Sequence, residues 1–451
     1  MKCTPSTKEA YQLLHDGVAA FADMENRGIR VDKKYCRTTI KNLQLRCKKL
    51  ERKILTDPDI KKWKAWKGQS FNLDSDDQLG KFLFGQMGLK SKKETRHGKT
   101  SVDKEALQDF HIDWLDQRSD MKRLQHAQVR LEEIMREQVD GLLHPFFNLH
   151  LVRSFRSSSD HINFQNQNKR DKEIALLVRG ALIPRKGKCY MESDFKGVEV
   201  CASACQHKDP VLIKYIKDPE TDMHRDQAMD CYKLPMKQVT KEIRYSAKNG
   251  FVFPEFYGSY WREVAPHLWD NIHLLKLTTT DGIPLMEHLK ANKLTPFSRF
   301  QQHIKEMERY FWYEKLKVYT QWKEMFWREY LKKGYFHTMT GFTCSGLMRR
   351  NQVLNLPIQG PAFHCMLWTL IQVNRILKKS KMGPFIIGQI HDSIAFDNME
   401  EAQAKDLRAI VDEVATKKLP AKWPWIIVPL KVEYEISKPD QPWSMKEEAA
   451  V

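Results

Sequence analysis

Apolar positions recur at helical spacing over residues 7–27, at Tyr11, Leu13, Leu14, Val18, Phe21 and Met24. That spacing predicts an amphipathic helix. Gly28 suits its end, and GIRVD after it reads as a short strand. Residues 34–68 predict one long basic helix, with Ile40, Leu43, Leu45, Leu50 and Ile54 on one side and Lys or Arg elsewhere. Its tail, KKWKAWK, interleaves cations with indoles, either as a solvated amphipathic face or as a surface that follows a phosphate backbone. FNLDSDDQLGKFLF and KTSVDKEALQDF each open on a polar capping signal before a helical run, with a basic, mobile loop, GLKSKKETRHGKT, between them. A further helix is expected over 115–138, carrying Arg118, Lys122, Arg123 and Arg130.

The stretches HPFFNLHLVRSFRSSS and NFQNQN are dense in small polar side chains. Residues 173–202 alternate apolar and polar in strand fashion, then switch to helix after Gly197. Residues 206–340 read as mostly helical, with an aromatic-rich amphipathic helix pair over 300–335. The last hundred or so give a helix (361–379), strand–turn–strand (384–397), a helix (400–417) and a final strand (427–436). The expected architecture is an α+β core flanked by two helical lobes.

Two acidic motifs stand in that core. CYMESDFKGVEV centres on Asp194 and GQIHDSIAFD on Asp392, each carboxylate at the end of an apolar, strand-like run. Two carboxylates brought to one cleft can hold two divalent metals, and two metals can drive phosphoryl or nucleotidyl transfer. Between them, TKEIRYSAKNGFVFPEFYGS offers Arg244 and Lys248 at i,i+4, together with aromatics. Two cations on one helix face can grip the oxygens of a triphosphate, Arg as a bidentate fork.

Composition narrows the partner. The 451 residues carry 75 Lys+Arg against 57 Asp+Glu, a formal +18, which favours a polyanion. None of the nine cysteines forms a CxxC pair; Cys201 and Cys205 share a helix face, and buried reduced thiols in a cytoplasmic setting are the expectation. No apolar run approaches the ~18 residues of a membrane span. The N-terminus lacks a signal region.

MENRGIRVD, FNLDS, TSVDKEAL, SFRSSSDHINFQNQ, SDFKGVE, DMHRDQA, RYSAK with FYG, NLPIQG and IHDS follow one another in an order that resembles the family A, or polymerase-I-like, DNA polymerases, in a form similar to those of bacteriophages. The likeness covers almost the whole chain. It implies a right-hand fold with a palm of antiparallel sheet plus helices, helical fingers and a helical thumb. It implies an opening palm segment (1–33), thumb (34–140), palm with the first acidic motif (141–205), fingers (206–340) and palm with the second (341–451).

The resemblance also implies roles. Asp194 and Asp392 would be the catalytic, metal-holding pair, with the Phe195 carbonyl as a further ligand, for two Mg²⁺ or, in substitution, Mn²⁺. His224, Arg244, Lys248, Phe253 and Tyr257 would meet the dNTP, and Glu199 would crowd a ribose 2′-OH. Arg156, Asn163, Gln165, Asn355, Gln359 and His391 would meet the primer-template, several through minor-groove acceptors that look alike for every correct pair; Arg118 and Lys122 would meet DNA from the thumb. Phe253, rather than Tyr, implies discrimination against dideoxynucleotides.

Some residues depart from the pattern. Lys196-Gly197 replace Ser-Gln, removing a minor-groove glutamine, and Ser393 stands where a helper Glu is usual. One extra residue separates Lys248 from Tyr257, and Gly250 and Pro254 lie inside that stretch, where Pro should break a helix. Phe251 therefore rivals Phe253. Residues 259–300 are extra sequence in the fingers with no assigned role. The chain begins where the polymerase region begins, so a separate 3′–5′ exonuclease or other replisome protein is the expected partner. Two other readings remain: a single-subunit RNA polymerase, which Glu199 opposes, and a catalytically inactive DNA-binding subunit, which the intact charged residues oppose.

Overall fold

The computed structural model describes residues 5–90, 100–102, 104–107, 110–165 and 171–449. Most of the basic loop predicted over 88–100, and the end of NFQNQN, lie outside the described residues.

Helix α1 (Thr7–Arg27) starts on a capping box in which Ser6 accepts from the Glu9 amide and Glu9 reaches back, and it ends at Gly28. Its buried face is Ala10, Leu13, Gly17, Ala20, Phe21 and Met24, whereas Tyr11 and Val18 are exposed. The small residues define the inner face: a Cβ on Gly17 would lie 2.8 Å from Leu149 and 3.2 Å from Leu367. Strand β1 (Ile29–Arg30) follows.

The single helix expected over 34–68 is two, α2 (Lys33–Thr56) and α3 (Pro58–Lys67). Pro58 is the cause, because it drives Asp57 out of the helical region, to φ −64°, ψ 139°, as residues before proline are driven. Asp57 then caps α3 through the Asp59 amide. Leu45 is exposed, and the buried side of α2 is Cys36, Thr39, Leu43, Cys47 and Ile54. Trp63 of KKWKAWK is fully buried, stacked on Phe82 at 5.4 Å. That indole is core, while Trp66 lies at the surface under Lys67. Helices α4 (Asp76–Gly80), capped by Ser75, and α5 (Lys104–Leu107) are short; α6 (Asp113–Glu137) packs along α2.

Strand β2 (Leu142–Leu143) pairs with β1, and β3 (Phe146–Asn148) pairs with β4 (Ser158–Asp160). The strand-like alternation expected from 173 begins instead with a helix, α7 (Lys172–Arg179). Asp171 caps it, and Ile174 and Val178 at i,i+4 turn inward. The strand itself is β5 (Cys189–Phe195), with α8 (Val198–His207) after Gly197 at φ 60°.

A helical block comes next: α9 (Pro210–Lys217), α10 (Met223–Tyr232), α11 (Lys241–Ala247), α12 (Phe253–Phe256), α13 (Trp261–Leu274), α14 (Leu285–Ala291), α15 (Phe297–Tyr310) and α16 (Lys317–Lys333). The extra residues 259–300 thus supply α13, α14 and the start of α15. The hairpin β6 (Tyr335–His337) and β7 (Thr343–Ser345) closes the block.

Helix α17 (Arg350–Ser380) begins well before the expected 361. It runs through Pro357 and Pro361, each of which costs about 3 kcal/mol inside a helix. Burial on nearly every side of its middle, from Val353 through Ile371, outweighs that cost. Strands β8 (Phe385–Ile390) and β9 (Ser393–Met399) follow, then α18 (Ala404–Asp412), α19 (Leu419–Lys422), β10 (Val432–Ile436) and β11 (Glu447–Glu448). The strand expected over 427–436 therefore starts at 432, after an irregular segment rich in Pro and Trp, and β11 follows it. These strands join β5 in one antiparallel sheet, ordered β11-β10-β5-β9-β8. Among the described residues the cysteines are buried and free, and no helix is long and apolar enough to cross a membrane.

Candidate active site

The sheet order brings the two acidic motifs together. Strands β5 and β9 are neighbours, with Asp194 opposite Ser393, and the Phe195 amide donates to the Asp392 carbonyl at 3.2 Å. Asp392 occupies the two-residue turn between β8 and β9, where His391 has φ 52°. Both aspartates therefore stand at strand ends, at the same end of the sheet. Among the described residues no three His, Cys, Asp or Glu side chains cluster as a closed metal site. Of the two aspartates, Asp392 lines an open cavity, and a pair of carboxylates at such a place could share divalent ions with a substrate.

That cavity measures about 420 Å³. Arg156, Glu199, Phe253, Tyr257, Asn355, Gln359, His391 and Asp392 line it, so residues more than 200 positions apart meet there. Glu199, in the first turn of α8, is held from two sides: the Arg156 guanidinium pairs with one carboxylate oxygen, and the Tyr257 hydroxyl donates to the other at 3.1 Å. Arg156 also donates to the Gln359 carbonyl at 3.2 Å. Burial and the Glu199 carboxylate push the Tyr257 phenol up to about 12.

A second cavity, about 520 Å³, adjoins the first across Gly197, Val200, Phe253 and Phe256. His224 and Arg244 line it. Asp222, a residue that the motif reading passed over, organises this side. It caps α10 through the His224 and Arg225 amides and accepts from Arg244 Nε at 2.5 Å. An Asp immediately before a helical run was the available signal. Burial first, then Arg244 and Lys248, lowers His224 to about 4, so its ring is neutral at pH 7. Its Nδ1 is buried and makes no hydrogen bond. Lys248 lies over the Phe253 ring at 5.2 Å.

The irregular stretch after Lys248 places the two candidate aromatics differently. Residues Lys248–Val252 form a π-helical turn, which absorbs the extra residue. Pro254 falls at the start of α12, where its missing N–H is tolerated. In that register Phe251 is fully buried, edge-on to Phe311 at 5.4 Å. Phe253 faces both cavities, with His224 edge-on at 5.7 Å.

Gln165 donates to Ser157 at 2.6 Å and to Gln389, and Ser157 also donates to Gln389 at 2.7 Å. Asn163 is exposed, while its neighbour Phe164 turns inward and stacks on Trp443 at 5.3 Å. Gly388 in β8 lets that ring in, since a Cβ there would sit 2.6 Å from Phe164. Gly388→Ala is therefore expected to cost about 1–3 kcal/mol by overpacking. Chemical denaturation is the check, with an unchanged midpoint as the contrary result.

One expectation needs correction. Arg118 does not face outward: its side chain is 5% exposed, and it donates to the Leu73 carbonyl at 2.7 Å and to Asp76 at 2.9 Å. It fastens α6 to α4, and Lys122 pairs with the same Asp76. In the first acidic motif, Lys196 lines the second cavity and pairs with Glu433, and Gly197 supplies the left-handed residue that starts α8. Ser393, at the position of the usual Glu, donates to Glu192 at 2.7 Å.

Known proteins share this arrangement of chain and fold. The family model for DNA polymerase family A matches residues 33–442. The thermostable DNA polymerase I of Thermus thermophilus is 24% identical over 436 residues, covering 91% of this chain and 45% of that protein. DNA polymerase I of Bacillus subtilis is 27% identical over 419 residues, 91% of this chain and 43% of that protein. The chain thus spans less than half the length of these relatives. A solved structure, the POL domain of Pol1 from M. smegmatis in complex with DNA primer-template and dNTP, superposes with a TM-score of 0.73 over 95% of this chain and 70% of that one, at 21% identity. The two share a fold.

Proposed function

The chain belongs to DNA polymerase family A, and from that premise we propose that it is a template-directed DNA polymerase, adding dNTPs to a primer 3′-OH with release of pyrophosphate. The observation that carries the reading is the meeting of Asp392, at the turn bonded to Phe195 beside Asp194, with Glu199, Phe253 and Tyr257 on one cavity. Residues 1–33, 141–205 and 341–451 form the palm, 34–140 the thumb and 206–340 the fingers.

Asp194 and Asp392, with the Phe195 carbonyl, would hold Mg²⁺, a hard ion that prefers oxygen and commonly keeps part of its shell for water and phosphate. When bound, such ions acidify an attacking hydroxyl and neutralise a departing phosphate. The chain's own residues do the rest. Arg244, steadied by Asp222, and Lys248 face the triphosphate. His224, uncharged at pH 7, offers a ring N–H to a phosphate oxygen. Phe253 covers the incoming sugar. Glu199, fixed by Arg156 and Tyr257, occupies the place a 2′-hydroxyl would need. Asn355 and Gln359 on α17 present amides to the minor groove of the primer end.

The test is competition between NTPs and dNTPs in primer extension. Strong preference for dNTPs supports the reading, and equal use favours the RNA polymerase alternative. The two phenylalanines give a second expected outcome. Phe253→Tyr adds a hydroxyl at the sugar and should raise dideoxynucleotide incorporation relative to dNTP. Phe251→Tyr instead buries a hydroxyl in a packed ring cluster, costing about 1–3 kcal/mol of stability with the dideoxynucleotide ratio unchanged. Steady-state incorporation ratios separate the two, and the reverse pattern would exchange their roles.

A further inference from the structure

Strand β5 carries a second carboxylate. Glu192 precedes Asp194 by two residues, and alternation along a strand puts both on one face of the sheet. Glu192 is only 7% exposed, and both of its oxygens are engaged. One accepts from the Ser393 hydroxyl at 2.7 Å. The other accepts from the Trp443 indole N–H at 3.0 Å and from the Lys446 ammonium. The Lys446 side chain is 3% exposed and reaches Glu435 at 3.0 Å as well.

The arrangement has consequences for the neighbouring aspartates. Ser393 directly follows Asp392, so the Glu192 carboxylate, covalently two residues from one aspartate, is hydrogen-bonded to the residue beside the other. A buried ion pair adds little net stability over an apolar pair of the same shape. What it fixes is direction, because the carboxylate has to meet three donors at once. Trp443 is itself clamped between the Phe164 ring and the Arg179 guanidinium, 4.9 Å above its face. The segment around Trp443 and Lys446 therefore buttresses the strand pair on the face that carries both carboxylates.

The geometry points to Glu192 as a positioning residue for the two-aspartate site: through Ser393 it sets how Asp194 and Asp392 stand relative to each other, with Lys446 and Trp443 holding Glu192 in place. This inference rests on the polymerase reading above. No bond is made or broken at Glu192, and it is not expected to touch substrate.

The experiment compares wild type with Ser393→Ala, Glu192→Gln, the double variant of these two, and Glu192→Gln/Lys446→Met, which removes both buried charges together. Two quantities are read. The first is the single-turnover incorporation rate per active site, with sites counted from the burst amplitude. The second is Mn²⁺ affinity, by electron paramagnetic resonance, of complexes whose dideoxy-terminated primer cannot react. Outer partners of metal-holding groups are typically worth 10- to 100-fold in metal affinity or activity. Glu192→Gln should therefore lower the rate per site and the Mn²⁺ affinity by roughly 10-fold or more. Ser393→Ala should shift both in the same direction, the double variant should be no worse than Glu192→Gln, and dNTP KM and DNA affinity should stay within about threefold.

A purely structural role would give a different pattern: fewer active sites or a lower denaturation midpoint, with the rate per site and Mn²⁺ affinity unchanged in Ser393→Ala and in Glu192→Gln/Lys446→Met. That result would overturn the proposal. A wild-type chain that extends no primer would sink the polymerase reading instead, and the Mn²⁺ affinities would still decide this one.

Discussion

Asp392→Asn should lower primer extension by at least ~10³-fold while leaving duplex affinity within a few-fold of wild type. Asn keeps the shape and one carbonyl oxygen but loses the charge. On the proposed reading, the charge is what would let the turn between β8 and β9 share a divalent ion with Asp194 across the strand pair. Metal stabilisation of the charge that develops on the reacting oxygens is worth several kcal/mol, and about 4 kcal/mol corresponds to 10³-fold in rate. Binding should be spared, because cations elsewhere would grip the duplex and one fewer carboxylate in the cleft would not repel phosphate. Asp194→Asn should behave alike. Rapid-quench extension and equilibrium binding on the same preparations give the comparison. Extension that survives in Asp392→Asn would remove Asp392 from the assigned role, and a parallel loss of binding would make its role structural.

Affinity for primer-template should fall by ~10³–10⁵ between 50 and 200 mM salt if six to ten phosphates are neutralised. The formal charge of +18 makes such a footprint possible, and α2 gives it a place. Lys34, Arg37, Lys41, Lys48 and Arg52 are all exposed on that helix. At 3.6 residues per turn they form one stripe, opposite the buried Cys36, Thr39, Leu43, Cys47 and Ile54. Replacing Lys41, Lys48 and Arg52 by Ala should reduce the slope of log affinity against log salt by about 1 for each phosphate that the variant no longer neutralises. Lys34→Ala alone should do the same by a single step. Arg118→Ala offers the control. Its guanidinium is buried against Asp76 and the Leu73 carbonyl, so its removal should lower stability and leave the slope alone. Titrations at several salt concentrations measure the slopes. A flat dependence in wild type would remove the polyanion reading of the charge.

What the sequence made legible was what local chemistry decides. The two strand-borne aspartates were readable because β5 and β8 are short apolar runs ending in a charge, and the antiparallel sheet then makes them neighbours. The capped start of α4 was readable for the same kind of reason, since Ser75 bonds the Gln78 amide three residues on. Where the fold departed from expectation, a distant partner or an irregular backbone was responsible. The π-helical turn at 248–252 shifts the register by one residue, and only the resulting burial of Phe251 separates it from Phe253. Arg118 looked like a surface cation on an amphipathic helix, and its partner lies 42 residues away. The Glu192–Lys446 pair joins residues 254 apart, which no window of the sequence could reveal. The helical start of α17 at Arg350 was hidden by two prolines whose cost only tertiary burial can offset.

Templated synthesis at Asp194 and Asp392 is decided by single-nucleotide extension. The purified chain is given Mg²⁺ and a primer annealed to each of four templates that differ in the next base, with one dNTP at a time. One-nucleotide extension is expected for the complementary dNTP on each template, and none when Mg²⁺ is removed by chelation. Tight duplex binding with no extension on any template, or extension that ignores the template base, would contradict it.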